Sequence, residues 1–211
     1  RAGHLQITYY LLLIVIILVV AQGISDIMKK RIAHFVKASV ILMLAAIIGI
    51  LTNITPLYAN YKYGQETMRG KPVLVKDTEN QTKGLERDYI TQWSYGIGET
   101  WSLMIPNAKG GASAYIGNNH PALEKADARF KQNIAQSNAY WGDQPGTSGP
   151  VYVGAIIVFL FVLGCFVVKG KLKWGLLIAT MLSILLSWGK NFMGFTDFFL
   201  DYIPGYDKFR A

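Results

Sequence analysis

Residues 5–24 read LQITYYLLLIVIILVVAQGI, a stretch without a single charge, and its reading decides the fold. Only Gln6, Thr8, Gln22 and Gly23 interrupt the apolar run. At about 1.5 Å per residue, a run of roughly 20 residues covers the roughly 30 Å hydrocarbon layer of a bilayer. A helix buried in a soluble core is the alternative for one such run. A cleaved signal peptide is another, with a small residue at Ala21. Three further apolar runs argue against both. Residues 35–51 follow closely and carry Lys37 near their start, where a lysine stem reaches the headgroups. Residues 151–168 are uncharged, and residues 172–188 are charged only at Lys173 beside their beginning.

The whole chain agrees with this reading. Of 211 residues, 52% are hydrophobic and 16% charged, against about a quarter charged in soluble domains. Disordered, collagen-like, coiled-coil and disulfide-framework classes are excluded, and so is a soluble cytosolic enzyme. The lone cysteine, Cys165, allows neither an intrachain disulfide nor a cysteine zinc site, and reads as a small hydrophobe within a span.

The net charge of +8 is mostly a topology signal. Lys29, Lys30 and Arg31 lie between the first two runs, and Lys169 and Lys171 between the last two. Both short links are therefore expected in the cytoplasm. Residues 52–150 hold ten Lys/Arg and nine Asp/Glu, a near-neutral balance expected of an exported loop. No nucleic-acid partner is implied.

The expected fold is mainly α: a polytopic integral membrane protein with four transmembrane helices in two hairpins, separated by a small mixed α/β exported loop domain. Its segments are transmembrane helix 1 (5–24), a cytoplasmic link (25–34), helix 2 (35–51), the extracytoplasmic loop domain (52–150), helix 3 (151–168), a link (169–171), helix 4 (172–188) and an extracytoplasmic segment (189–211). The expected location is the bacterial cytoplasmic (inner) membrane. The chain reads as an internal piece of a longer protein.

Within the loop, Pro72-Val73-Leu74-Val75 suggests a short strand. Residues 96–111, rich in glycine and flanked by Trp93, with Trp101 and Met104 inside, suggest a segment packing on the membrane surface. Residues 121–138 favour helix, with Pro121 in the first turn and Leu123, Ala126, Phe130 and Ile134 at helical spacing. Gly96-Ile97-Gly98 lacks the strand–turn–helix context of a dinucleotide site. No cofactor or metal motif is legible, although a divalent metal is left open.

The candidate binding residues are polar groups crowded at one face of the membrane. His4 and Gln6 head the first span, where a histidine can donate to a phosphate or sugar hydroxyl. Glu99 follows Gly98 and precedes Thr100 and Trp101; Trp141, Asp143 and Gln144 share Trp-Gly-Asp-Gln-Pro. A carboxylate among aromatic rings can act as a base or hold a sugar between stacking faces. Asp143 is equally an ordinary turn former. Lys190 follows the fourth run, and Lys208 and Arg210 close the chain on the side where topology does not ask for cations. An anion such as a lipid phosphate suits them, as do headgroup anchoring or pairing with Asp197, Asp201 or Asp207.

Four stretches carry a resemblance: Gly3-His4-Leu5-Gln6; Gly98-Glu99-Thr100-Trp101 through Ile105-Pro106-Asn107 to Gly110-Gly111; residues 140–153; and Lys190-Asn191-Phe192 through Asp201-Tyr202-Ile203-Pro204 to Lys208-Phe209-Arg210. In this order, at the ends of spans, they resemble the YfhO family of bacterial membrane proteins, in its Bacteroidetes form. The resemblance implies a GT-C-type glycosyltransferase, taking a sugar from a polyprenyl-phosphate carrier to an envelope glycan acceptor outside the cytoplasmic membrane. It also implies a catalytic carboxylate in the first exported loop; nothing here matches that position, which is expected before Arg1. His4, Lys190 and Arg210 would then face the leaving phosphate, with Trp141 and Asp143 at the sugar. The alternative is a non-catalytic membrane protein that binds or transports a lipid-linked glycan.

Overall fold

The computed structural model describes residues 4–67, 82, 84–147 and 151–210. Helix α1 (Leu5–Met28) opens the chain and α2 (Ile32–Leu51) runs back beside it. Both are long and apolar enough to cross a membrane, and they are the two single helices among the described residues that meet that condition. Each extends beyond the run that announces it. The turn tightens to Lys29, Lys30 and Arg31 because Asp26, fully buried, caps it from inside α1. Its carboxylate accepts from Gln22 Nε2 and Arg31 Nη2, both at 3.0 Å, and His34 Nδ1 lies 3.6 Å away. The chain is passed back by Lys30, at φ 55.

Helix α3 (Ile54–Gln65) follows α2 after Thr52 and Asn53 and buries nothing. The docked part of the loop begins at Leu85, whose N–H donates to Asp207 O at 3.0 Å, and continues through α4 (Arg87–Thr91) and a 3-10 helix, Ile97–Leu103. Strands β1 (Gly110–Tyr115) and β2 (Asn138–Tyr140) pair antiparallel around a 3-10 turn, Pro121–Leu123, and α5 (Lys131–Ala135). The mixed loop thus has both helix and strand. The continuous helix expected over residues 121–138 is not present. Asp127 Oδ1 accepts the Arg129 N–H at 3.0 Å, a local turn that competes with helix, and Phe130 is left exposed. The strand expected at Pro72-Val73-Leu74-Val75 lies outside the described residues.

Helices α6 (Ala155–Val167) and α7 (Leu172–Ser187) form the second antiparallel pair. At 13 residues, α6 is about 20 Å long, short of the hydrocarbon layer. Beyond Ser187 the chain turns by 110° through the 3-10 helix Gly189–Phe192 into α8 (Met193–Tyr202), and the two together are apolar enough for a broken span or a re-entrant loop. That corner and α8 make up most of the segment expected after residue 188.

Helices α1 and α7 pack antiparallel. Toward the basic end a Cβ on Gly175 would stand 2.8 Å from Ala21 Cβ. At the other end the loop docks. There Leu85, Ile90, Leu186, Phe199, Leu200 and Tyr206 form the core, with Tyr9, Tyr10 and Tyr89 against it. The core therefore joins α1, α4, α7, α8 and the C-terminal strap, residues 203–210. It fixes the loop over the ends of the apolar helices.

Candidate functional site

The loop is held to the α7–α8 corner by residues 94–100. Tyr95 N–H donates to Ser187 O at 2.8 Å, Lys190 N–H to Ser94 Oγ at 2.9 Å, and Asn191 Nδ2 to Tyr95 O at 2.9 Å. Trp188 Nε1 donates to Thr100 Oγ1 at 2.8 Å. The corner requires Gly189: its φ is +40, and any Cβ there would collide with the Ser94 side chain.

Glu99 lies behind this junction, 1% exposed. Its carboxylate takes three donors: Gly96 N–H at 2.6 Å, Asp143 N–H at 3.1 Å and the Tyr140 hydroxyl. Glu99 thus ties the start of the 3-10 helix to the turn after β2. Gly142 permits this, since a Cβ on it would occupy the space of Glu99 Oε1 and Tyr140 Oη. Burial first, then the hydrogen bond to Glu99, pushes the Tyr140 phenol up to about 12. Burial and the Glu99 charge raise Tyr95 as well. With its lone pairs so occupied, Glu99 orders the loop and meets no solvent.

The turn that Glu99 holds presents the exposed side chains of Trp141 and Asp143 on its rim. Gln144 is directed the other way: its Nε2 donates to Trp93 O at 2.5 Å and its N–H to Tyr140 Oη at 3.2 Å.

A second cluster gathers at the head of α1. Gln6 Nε2 donates to Arg210 O, Tyr10 Oη approaches the same carbonyl at 3.4 Å, and Tyr9 Oη donates to Pro204 O at 2.9 Å. The Arg210 guanidinium lies 4.1 Å over the Tyr89 ring. Burial, then Tyr10, drives the Tyr206 phenol above its ordinary range. Asp197 and Asp201, read in sequence as partners of C-terminal cations, instead receive Arg87 of α4, the latter at 2.7 Å. Lys208 pairs with Asp207 at 3.3 Å.

The eight candidate residues therefore divide. Trp141 and Asp143 stand on the loop rim with Glu99 and Gln144 behind it, and Gln6 of α1 meets Arg210 of the strap. Lys190 is exposed at the corner between them, and His4 is exposed at the N-cap of α1. Tyr140 and Arg87 are the residues that sequence reasoning missed; Tyr140 stands beside Trp141, but its partner is 41 positions away.

Below the strap, between α1 and α7, lies a groove of about 290 Å³. Leu13, Ile14, Ile17 and Leu182 form its apolar wall, while Gln6 and Ser187 stand at the end nearer the loop. Ser183 and Ser187 also line a cavity of about 190 Å³ with Tyr95, Thr100 and Leu103 on the loop side of α7. Among the described residues, no three His, Cys, Asp or Glu side chains are grouped to hold a metal ion.

No family model, curated protein or solved structure matches the chain.

Proposed function

We propose that the chain is part of a YfhO-like, GT-C-type membrane glycosyltransferase that moves a sugar from a polyprenyl-phosphate donor to an envelope acceptor. In this reading the loop faces the extracytoplasmic side of the bacterial inner membrane. Helices α1, α2 and α6 and the broken α7–α8 pair are its four membrane segments. The observation that carries the reading is the α1–α7 groove. Its wall is hydrocarbon, its loop end is polar, and the rim bearing Trp141 and Asp143 belongs to the loop docked on that same end of α7. A lipid-linked sugar has the same order of parts: a chain that stays in the membrane, a polar link, and a ring for an aromatic face.

Roles follow from exposure. Trp141 offers its face to the sugar, and Asp143 accepts from sugar hydroxyls. Lys190 and His4, both exposed at the loop end of the helices, supply positive or donor groups for the phosphate. Glu99, Gln144, Gln6 and Arg210 hold the rim and strap in place. The burial of Glu99 leaves Asp143 as the rim's exposed carboxylate, and a base for transfer is sought elsewhere in the intact protein.

The test is the intact protein in proteoliposomes with radiolabelled polyprenyl-phosphate sugars and a membrane extract as acceptor. Label in a new product, lost on Asp143→Asn or Trp141→Ala, is the expected result. Donor bound without turnover would replace the reading with that of a binding or transport protein, and no binding would end both.

A further inference from the structure

The 3-10 helix Ile97–Leu103 and the two residues after it have inverted polarity. Glu99 and Ser102 are buried at 1% and 6%, while Ile97, Trp101 and Ile105 are 52%, 60% and 49% exposed. In water the reverse arrangement is favoured, because exposed apolar area is costly and buried polar groups need partners. On the polar side Glu99 takes three donors, and the neighbouring Thr100 receives Trp188 Nε1. Among the described residues, none covers the apolar side.

The position of this segment decides what covers it. Leu103 O accepts the N–H groups of both Val153, at 3.0 Å, and Gly154, at 3.2 Å. Those residues lead directly into α6, an uncharged helix with no buried residue. Val151 and Val153 are exposed beside it at 78% and 52%. The exposed side chains of the 3-10 helix thus continue the apolar surface of α6 at its loop end. At about 20 Å, α6 falls short of a hydrocarbon layer of roughly 30 Å, and an apolar collar at that end reduces the mismatch.

We infer that Ile97, Trp101 and Ile105 form a wedge of the loop inserted into the adjacent leaflet of the membrane, at the boundary of headgroups and acyl chains. The partner is the lipid leaflet itself. Trp101 is suited to that depth, with an apolar ring and one polar N–H. The absence of a charged side chain among the exposed residues of the segment agrees with insertion rather than electrostatic adsorption. The wedge holds the docked loop at a fixed height above α7. It is independent of any transferase chemistry.

The experiment uses the chain in phosphatidylethanolamine–phosphatidylglycerol vesicles, in a Cys165→Ser background. Cysteines replace Ile97, Trp101 or Ile105, with Tyr115→Cys and Phe130→Cys as exposed loop controls. A water-soluble maleimide is placed on both sides of the membrane by freeze–thaw. The expected result is loss of labelling at the three wedge positions and full labelling of the controls. A second measurement compares the unsubstituted chain with Trp101→Phe in vesicles whose acyl chains carry bromine: the part of the tryptophan emission quenched by bromine is expected to shrink in the variant. Labelling at the control rate overturns the inference. So does protection from maleimide with quenching unchanged in Trp101→Phe, which would mean that a protein surface, such as a second copy of the chain, covers the segment. Should a cysteine variant fail to fold, the quenching difference decides alone, since Trp101→Phe keeps an aromatic ring.

Discussion

The Tyr140 hydroxyl donates to the buried carboxylate of Glu99, joining the strand end of the loop to its 3-10 helix. A carboxylate with 1% exposure must be satisfied by the protein, and each lost donor costs more than an ordinary hydrogen bond. Tyr140→Phe is therefore expected to destabilise the loop by about 1.5–3 kcal/mol, the range for bonds to charged groups. Glu99→Ala should cost more, because it strands the N–H groups of Gly96 and Asp143 as well. Amide hydrogen exchange over residues 96–103 and 138–145 measures this directly. Unchanged protection in Tyr140→Phe would remove the bond from the account.

The same bond sets an alkaline limit. The Tyr140 phenol titrates at about 12 in the folded chain against an ordinary value of 10.0, with burial the larger cause. The unfolded chain therefore releases this proton first, and stability is constant below about pH 10 and declines as pH rises toward 12. Tyr140→Phe lacks this share of the decline, whatever its lower starting stability, while Tyr95 and Tyr206, whose phenols are also raised, keep theirs. An ultraviolet titration of tyrosinate beside a denaturation series from neutral pH upward checks both the pKa and its sign.

Two glycines serve close approaches. Gly189→Ala places a Cβ into Ser94 at a backbone φ of +40, so both packing and conformation oppose it. Gly142→Ala drives a methyl into the Glu99–Tyr140 pair. Each is expected to cost at least about 1–3 kcal/mol, the range for overpacked sites. The readouts differ: Gly189→Ala should expose residues 94–96 and the α7–α8 corner to protease, whereas Gly142→Ala should loosen the rim and leave the corner protected.

The legible parts of the fold were those with long-range uniformity in sequence. Residues 5–24 and 35–51 contain enough uninterrupted apolar length to announce α1 and α2 by themselves. Their actual ends depend on Asp26, a charge inside a helix that reads as a link until its partners Gln22 and Arg31 are seen around it. Helix α3 hides because Pro56 looks like a breaker, yet it stands in the first turn, where a missing N–H costs nothing. Helix α8 hides because Gly189 reads as an end, although the chain turns 110° there and resumes helix. In the site, Glu99, Asp143 and Gln144 were visible as residues, while their arrangement was not. That arrangement needs Tyr140, and no local spacing connects positions 99 and 140. Helical spacing misled over residues 121–138 because the Asp127–Arg129 turn is locally stronger than a weak apolar period.

Arg87 clamps α4 onto α8 through Asp197 and Asp201, neighbours one helical turn apart. Both carboxylates are partly exposed, at 41% and 47%, so screening limits the gain. Arg87→Met should cost about 1 kcal/mol at low salt and less at high salt, with a double-mutant cycle against Asp197→Asn returning a coupling of similar size. A loss unaffected by salt would assign the effect to packing of the arginine stem, which is largely buried against the junction.

The groove gives the last prediction. Ser183 lines both the space between α1 and α7 and the smaller cavity beneath the loop, and its hydroxyl already bonds Ala179 O within its own helix. Among the described residues, that is the hydrogen bond its side chain makes, and a substitution breaks none to another element. Ser183→Leu fills part of the groove with hydrocarbon while leaving α7 a good helix former. Stability should change little, because the added methyl groups enter open space rather than a packed core. Under the proposed function, the substitution should weaken retention of a polyprenyl-phosphate sugar, whereas a sugar nucleotide, which has no chain to place there, should be unaffected by it. Measuring both by equilibrium binding in detergent separates the groove from the rim: Trp141→Ala should weaken the lipid-linked sugar but not its unglycosylated carrier, and Ser183→Leu should weaken both. Equal binding of the carrier by Ser183→Leu and the unsubstituted chain would assign the groove to bulk lipid and remove it from the proposed site.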